Sequence, residues 1–191
     1  MKIQKIKKEK EFFPKEYRAY GRGIKRIEYA NEEGSFLIHT QRPSVMIVPL
    51  TNARDIILLR KFERGPRRWA WGIPGGGVDA KDRGSFRLAA ERELCEEAHV
   101  HVKRMKYIGA YFDDVYSTGF SHAFVAEGCR ENKMLCKKHH GGGRAEDGDV
   151  FEKKFFPLKA FRPLLKKGNI KGVPISDLDV IYRGLDSGGY L

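Results

Sequence analysis

The chain has 191 residues, 41% of them hydrophobic and 12% aromatic, and 37 Lys and Arg against 25 Asp and Glu give a formal net charge of +12. That length suits one hydrophobic core and is short for two, and the composition excludes fibrous and wholly disordered classes. No apolar run approaches the ~20 residues a membrane helix needs, the stretch from Met1 to Lys10 lacks the apolar core of a secretory signal, and Cys95, Cys129 and Cys136, odd in number and irregular in spacing, predict reduced thiols in a cytoplasmic setting.

Residues 1–30 read as a basic arm with little periodicity beyond a strand at its end, and residues 31–191 as a single domain. Residues 1–26 hold ten Lys or Arg against three Glu. Such an arm draws in polyanions, RNA among them, but it carries no nucleic-acid motif, so a solubilising terminus is the simpler account. Ser35 to Thr40 predicts a strand and Val45 to Leu50 a buried one. Thr51 to Asp55 carries turn residues, and Ile56 to Phe62 is the returning strand. Ser85 is placed to cap a helix over Phe86 to Ala98, with Leu88, Ala89 and Leu94 inward. Val102 to Ala110 and Ser121 to Glu127 predict two further strands. Residues 129–149 read as the least ordered stretch, Phe151 to Leu158 as a last strand, and Leu158 to Lys167 and Ile175 to Leu185 as helices. Strands and helices alternating irregularly around one helix predict an α+β fold with a mixed-sheet sandwich.

The chemistry concentrates in Arg92-Glu93-Leu94-Cys95-Glu96-Glu97. On a helix Glu93, Glu96 and Glu97 stand at i, i+3 and i+4 and share a face. Three like charges so placed destabilise an isolated helix by a few tenths of a kcal/mol per pair, roughly. A hard divalent cation with oxygen ligands offsets that repulsion. A solvated acidic face is the alternative, and spacing alone leaves the two open.

The loop before the helix, Trp69-Ala70-Trp71-Gly72-Ile73-Pro74-Gly75-Gly76-Gly77-Val78-Asp79, together with Ala89-Ala90-Glu91-Arg92-Glu93-Leu94, resembles the Nudix box, G-x5-E-x7-R-E-U-x-E-E-x-G-U with U aliphatic. Gly76-x5-Asp82 matches the opening with Asp for Glu, Arg92 to Glu97 match the core, and Val100 fills the last aliphatic position. Asp82 is short, the gap to Arg92 is two residues longer than the pattern, and His99 stands where the pattern has Gly. The first two departures predict a weakened Asp82–Arg92 contact and a minor role for Asp82. The third removes the residue best suited to a left-handed helix end, although His is among those enriched there.

The resemblance implies an α/β/α sandwich around a loop–helix motif and a pyrophosphohydrolase dependent on Mg²⁺, with Mn²⁺ as the alternative. It implies metal ligation by Glu93, Glu96, Glu97 and a loop carbonyl of Gly76 or Gly77, with Arg92 orienting the carboxylates. A second patch is similar to the ADP-ribose and nucleotide-sugar pyrophosphatase branch: Val48-Pro49-Leu50, Ile57 to Phe62, Trp71 to Asp79, and Ser117-Thr118-Gly119-Phe120-Ser121 with the strand after it. That branch implies ADP-ribose or a related nucleotide sugar as substrate, a homodimer in which N-terminal segments pair, and a water-activating Glu in a late loop, here Glu146 or Glu152. Arg60 is a candidate phosphate ligand, Ser117 and Gly119 line the substrate loop, and Phe112 and Phe120 are candidates for stacking a base. Two other functions remain open: a pyrophosphohydrolase of RNA 5′ ends or dinucleoside polyphosphates, and a nucleotide- or RNA-binding module that has lost turnover. Cys129, Cys136, His139 and His140 match no zinc spacing.

Overall fold

The structure is a computed structural model that describes residues 5–12, 23–30, 33–112, 114–140 and 150–191. The chain divides into two compact units, residues 1–44 with 110–121, and residues 45–109 with 122–191.

In the smaller unit, β1 (Ile6–Phe12), β2 (Gly23–Tyr29) and β3 (Phe36–Thr40) form an antiparallel sheet in that order. Lys25 of β2 reaches across to Glu9 and Glu11 of β1 at 2.8 and 2.6 Å, and Tyr29 meets Phe36 edge to face. The expected arm with little periodicity is therefore corrected: two of its segments are paired strands. Their alternation of Lys and Glu, with few apolar residues, hides the period-2 signal that burial produces. The segment Ser117 to Ser121 is tied into the same unit. His39 donates its backbone N–H to Tyr116 O at 2.6 Å, Thr118 N–H donates back to His39 O at 2.8 Å, and the Ser44 and Ser121 hydroxyls lie 2.6 Å apart.

The larger unit is built on β4 (Ser44–Thr51), β5 (Asp55–Glu63), β6 (Arg68–Gly72), β7 (Gly75–Gly77), α1 (Phe86–Ala98), β8 (Val100–His101), β9 (Arg104–Phe112), β10 (Phe120–Glu131), α2 (Lys133–His140), β11 (Val150–Pro157), α3 (Leu158–Lys167), β12 (Asn169–Ile170), β13 (Val173–Pro174) and α4 (Leu178–Ser187). The main sheet runs β11-β5-β4-β10-β8, with β6 on β5, β7 on β4 and β9 on β10. β5 is antiparallel to β4, β6 and β11, while Trp71 and Ile175 form a parallel bridge.

Strand alternation divides the core into two layers. Val45, Ile47, Ile57 and Leu59 pack with Ala89, Ala90, Leu94 and Ala98 of α1, together with Phe124 and Ala126. Val48 faces the other way, against Gly184 of α4, where an added Cβ would stand 2.7 Å from its Cγ2. Phe161, Leu165, Val180, Ile181 and Leu185 complete the buried faces of α3 and α4. The result is the sandwich expected from the sequence, with helices on both faces of the sheet.

Ser85 caps α1 as expected, its hydroxyl accepting from Leu88 N–H, and His99 ends the helix in the left-handed region at φ 54°. Leu88 is corrected from core to surface, being 42% exposed. Buried Ala89, Glu93, Ala90, Leu94 and Ala98 together occupy one half of the helix surface, and Leu88 falls on the other half. Residues 129–140 are more ordered than expected, since β10 extends to Glu131 and α2 follows; residues 141–149 lie outside the described residues. Among the described residues no helix is long and apolar enough to cross a membrane.

The cysteines also depart from expectation. Cys95 of α1 and Cys136 of α2 form a disulfide across 41 residues of chain, while Cys129 is buried and free. Burial pushes the Cys129 thiol up to about 12. A loop of that length removes on the order of 4 kcal/mol of chain entropy from the unfolded state. Cys136→Ser is therefore expected to lower the urea midpoint of the protein clearly under non-reducing conditions. The gap should close when the wild type is unfolded in excess dithiothreitol; a gap that persists unchanged would count against the bridge.

Candidate active site

The glycine loop and α1 meet around one guanidinium. Arg92 is 4% exposed and Asp82 3%. Arg92 Nε and Nη2 donate to the two carboxylate oxygens of Asp82, both at 2.9 Å. Nη2 also donates to Gly77 O at 2.8 Å. Nη1 donates to Glu93 Oε1 at 2.6 Å and to Glu96 Oε2 at 2.8 Å. The predicted weakening of the Asp82–Arg92 contact is thus overturned. Residues 80–82 form a 3-10 turn, Arg83 follows at φ 53°, and Asp82 Oδ2 accepts the Asp79 N–H at 2.7 Å. That turn carries the short side chain to a bidentate pair, the geometry guanidinium and carboxylate favour.

Glu97 lies on the same helix with different partners. Its Oε1 accepts from Lys61 Nζ at 2.6 Å and its Oε2 from Gly75 N–H at 3.0 Å. Glu96 Oε1 accepts from Lys81 Nζ at 3.1 Å. Glu93 lies flat against Gly76, where any Cβ would overlap its carboxylate. Here glycine is required by close approach of the side chain.

The charges are strongly interdependent. Burial raises the Glu93 carboxyl to about 7 and outweighs the pull of Arg92, and Glu97 and Glu96 push in the same direction. Burial alone would raise Asp82, yet Arg92, the Asp79 N–H and Lys81 together hold it below the ordinary carboxylate range. Arg92 loses water too, but Asp82, Glu93 and Glu96 keep it firmly protonated.

The remaining candidates are distributed elsewhere. Arg60 of β5 stands in register with Glu152 of β11, at 3.8 Å in an ion pair, and its guanidinium lies 5.3 Å from the Trp69 ring. Glu152 is also paired with Lys154. Glu146 falls outside the described residues. Phe112, Ser117, Gly119 and Phe120 belong to the smaller unit. There Phe112 and Phe120 approach to 4.6 Å between ring centroids, and Ser117 Oγ accepts the Gly119 N–H at 3.0 Å. Among the described residues no group of three or more His, Cys, Asp or Glu is drawn together as a ready metal cage. The carboxylates are held apart on the partners named above.

A family model described as the NUDIX domain matches residues 40–177, more than half of the chain. The chain belongs to the Nudix family. A solved structure described as the crystal structure of an ADP compounds hydrolase matches at a TM-score of 0.71 and 18% sequence identity, over 100% of this chain and 98% of that one. At that identity the likeness speaks for the fold. A comparison with curated proteins finds no match.

Within this Nudix hydrolase, sequence reasoning passed over Lys61, Gly75, Asp79 and Lys81, which all touch the motif side chains or their partners. Strand alternation places Arg60 and Lys61 on opposite faces, so one was bound to face the motif helix; nothing in their identity says which. Asp177 was missed as well. It precedes α4 at φ 57°, and burial raises its carboxyl although the Ser176 hydroxyl and the Ile73 N–H donate to it. With Ser176 N–H donating to Trp71 O at 2.7 Å, it fastens the chain just ahead of the glycine loop.

Ionised Glu93 is a cost to the fold. Its folded value of about 7 lies above the ordinary 4.5, so the folded state holds its proton more tightly. Stability therefore falls as pH rises from 4.5 and levels off above 7, by roughly 3 kcal/mol in all. Glu93→Gln is expected to melt several degrees above the wild type at pH 8 in chelator and to lose most of that advantage at pH 5. Equal melting at pH 8 would contradict the strained carboxylate.

Proposed function

We propose that the protein is a divalent-cation-dependent pyrophosphohydrolase of a nucleoside diphosphate linked to a second moiety, with ADP-ribose or a related nucleotide sugar as the leading substrate. The observation that carries this reading is the buried Glu93 carboxylate, lodged on Gly76 with Glu96 and Glu97 beside it and raised to about 7. A carboxylate so placed has a reason to be there if a cation joins it. The donors are all hard oxygens, which suits Mg²⁺ or Mn²⁺. Glu93, Glu96 and Glu97 would hold the ion, with the carbonyls of Gly76 or Gly77 as further donors. When bound, such an ion supplies charge to neutralise two adjacent phosphates and acidity to ionise a water.

The chain's own residues do the positioning. Arg92 fixes Glu93 and Glu96 by its shared Nη1 and holds the loop through Gly77 O. Gly75 N–H and Lys61 fix Glu97 from both sides. Lys61 and Lys81 are cations already at the carboxylates and within the same cluster, suited to phosphate oxygens arriving there. For the water-activating base we retain Glu152 and Glu146; Glu152 stands opposite Arg60, next to Lys61 in the chain. The structural neighbour's description as a hydrolase of ADP compounds favours an adenosine diphosphate substrate. The exposed edge strand β1 suits pairing with a second copy. A polyphosphorylated RNA 5′ end is the second reading, supported by the net charge of +12.

The test is a turnover screen of ADP-ribose, other nucleotide sugars, dinucleoside polyphosphates and 5′-triphosphorylated RNA, with Mg²⁺ and with chelator. Metal-dependent release of AMP from ADP-ribose is expected, and Glu97→Gln should lower kcat by at least roughly a hundredfold. Near-normal turnover in Glu97→Gln would remove the role assigned to that carboxylate. Full turnover in chelator would remove the cation.

A further inference from the structure

Between residues 153 and 176 the chain carries seven Lys or Arg and no acid, which is more than half of its net charge of +12. Lys153 and Lys154 are engaged, the first donating to Ala98 O at 2.7 Å and pairing with Glu131, the second pairing with Glu152. The other five lie on α3 and the β12–β13 turn. Leu158, Phe161 and Leu165 bury one face of α3. Lys159, Arg162 and Lys166 form a stripe beside that face at i, i+3 and i+7, all exposed, with exposed Lys167 at the last turn and Lys171 beyond it. Arg162 is held by Tyr190 O, so its guanidinium has a fixed place in the row.

Local helix energetics explain only part of this. Lys166 and Lys167 suit the negative end of the helix dipole, but Lys159 sits at the positive end, where a cation is unfavourable and where no acid offsets it. We infer that the row Lys159, Arg162, Lys166, Lys167 and Lys171 is a docking surface for the phosphate backbone of a polynucleotide strand, separate from the carboxylate cluster. The row from Lys159 to Lys166 is about 10 Å long at 1.5 Å per residue, long enough to meet successive phosphates of a strand. Between residues 158 and 176 no large hydrophobic side chain is exposed. A protein partner would find no aromatic or aliphatic anchor there, and a membrane would find no apolar face to take in. A linear polyanion gains from point charges alone.

The row also has a direction. α3 returns from the end of β11 towards the motif, because β12 and β13 follow it and Ile175 bridges to Trp71, four residues before Gly75. A strand lying along α3 would have its end carried towards the glycine loop. This inference goes beyond the proposed substrate, since a small nucleotide needs none of these side chains.

The experiment is fluorescence anisotropy of the full-length protein with a labelled 20-nucleotide single-stranded RNA and its DNA counterpart, across a series of salt concentrations. The comparison is with a Lys159→Gln, Lys166→Gln, Lys171→Gln triple variant and, as control, Lys7→Gln, Lys8→Gln, Lys10→Gln. The wild type should bind with affinity that falls steeply with salt. The α3 triple should bind at least roughly tenfold more weakly near 0.1 M salt, with the slope of log affinity against log salt reduced by about 2, that is 0.7 for each of three phosphates released. Its turnover of the small substrate and its melting temperature should stay at wild-type values. No binding by the wild type, an unchanged slope in the triple, or an equal loss in the β1 control would overturn the inference. So would lysine-dependent binding to vesicles containing one third phosphatidylserine without binding to RNA or DNA. Hydrolysis is read separately, so failure of this surface leaves the catalytic proposal standing, and the reverse also holds.

Discussion

The buried guanidinium of Arg92 is the contact on which the motif depends. An arginine taken out of water costs several kcal/mol unless its donors are matched, and here all three nitrogens are matched by groups from three places in sequence: Gly77 on the loop, Asp82 on the 3-10 turn, and Glu93 and Glu96 on α1. Loop, turn and helix cannot move independently while that hub holds. It also permits Glu93 and Glu96 to share a cation between them, which two unshielded carboxylates on one helix face would resist.

The hub does not fully neutralise what it gathers. Glu93 remains raised to about 7, wedged on Gly76, and Glu97 is left to Lys61 and Gly75 N–H. A fold under selection for stability alone would place an amide or an apolar residue at position 93. The free energy withheld there is what a bound cation would release, so on the proposed reading instability of the metal-free motif and affinity for a cation would be two aspects of one arrangement.

Much of this was legible in the sequence where a local rule acts alone. Phe86 to Ala98 forms the predicted helix because Ser85 caps it, His99 tolerates a left-handed end and three alanines permit close packing. Val45 to Leu50 and Ile56 to Phe62 pair because their apolar runs admit nothing else. The shared face of Glu93, Glu96 and Glu97 follows from helical spacing. What was hidden depended on chain geometry or on distant partners. Asp82 was judged too short for Arg92, because the 3-10 turn that advances it has no signature in composition. Lys61 was passed over for Arg60, since strand alternation does not tell which face meets α1. The Cys95–Cys136 bridge needed α2, which the Lys-, His- and Gly-rich stretch conceals. Strands β1 and β2 carry Lys and Glu on both faces and so lack a burial pattern.

The central claim is that Glu93, Glu96 and Glu97, organised by Arg92, hold a divalent cation. Electron paramagnetic resonance of Mn²⁺ titrated into the protein tests it most directly, with wild type beside a variant carrying Gln at all three positions. The account predicts a Mn²⁺ site in the wild type that excess Mg²⁺ displaces and that is absent from the triple variant while its fold is retained. Equal binding of Mn²⁺ by both proteins would contradict it.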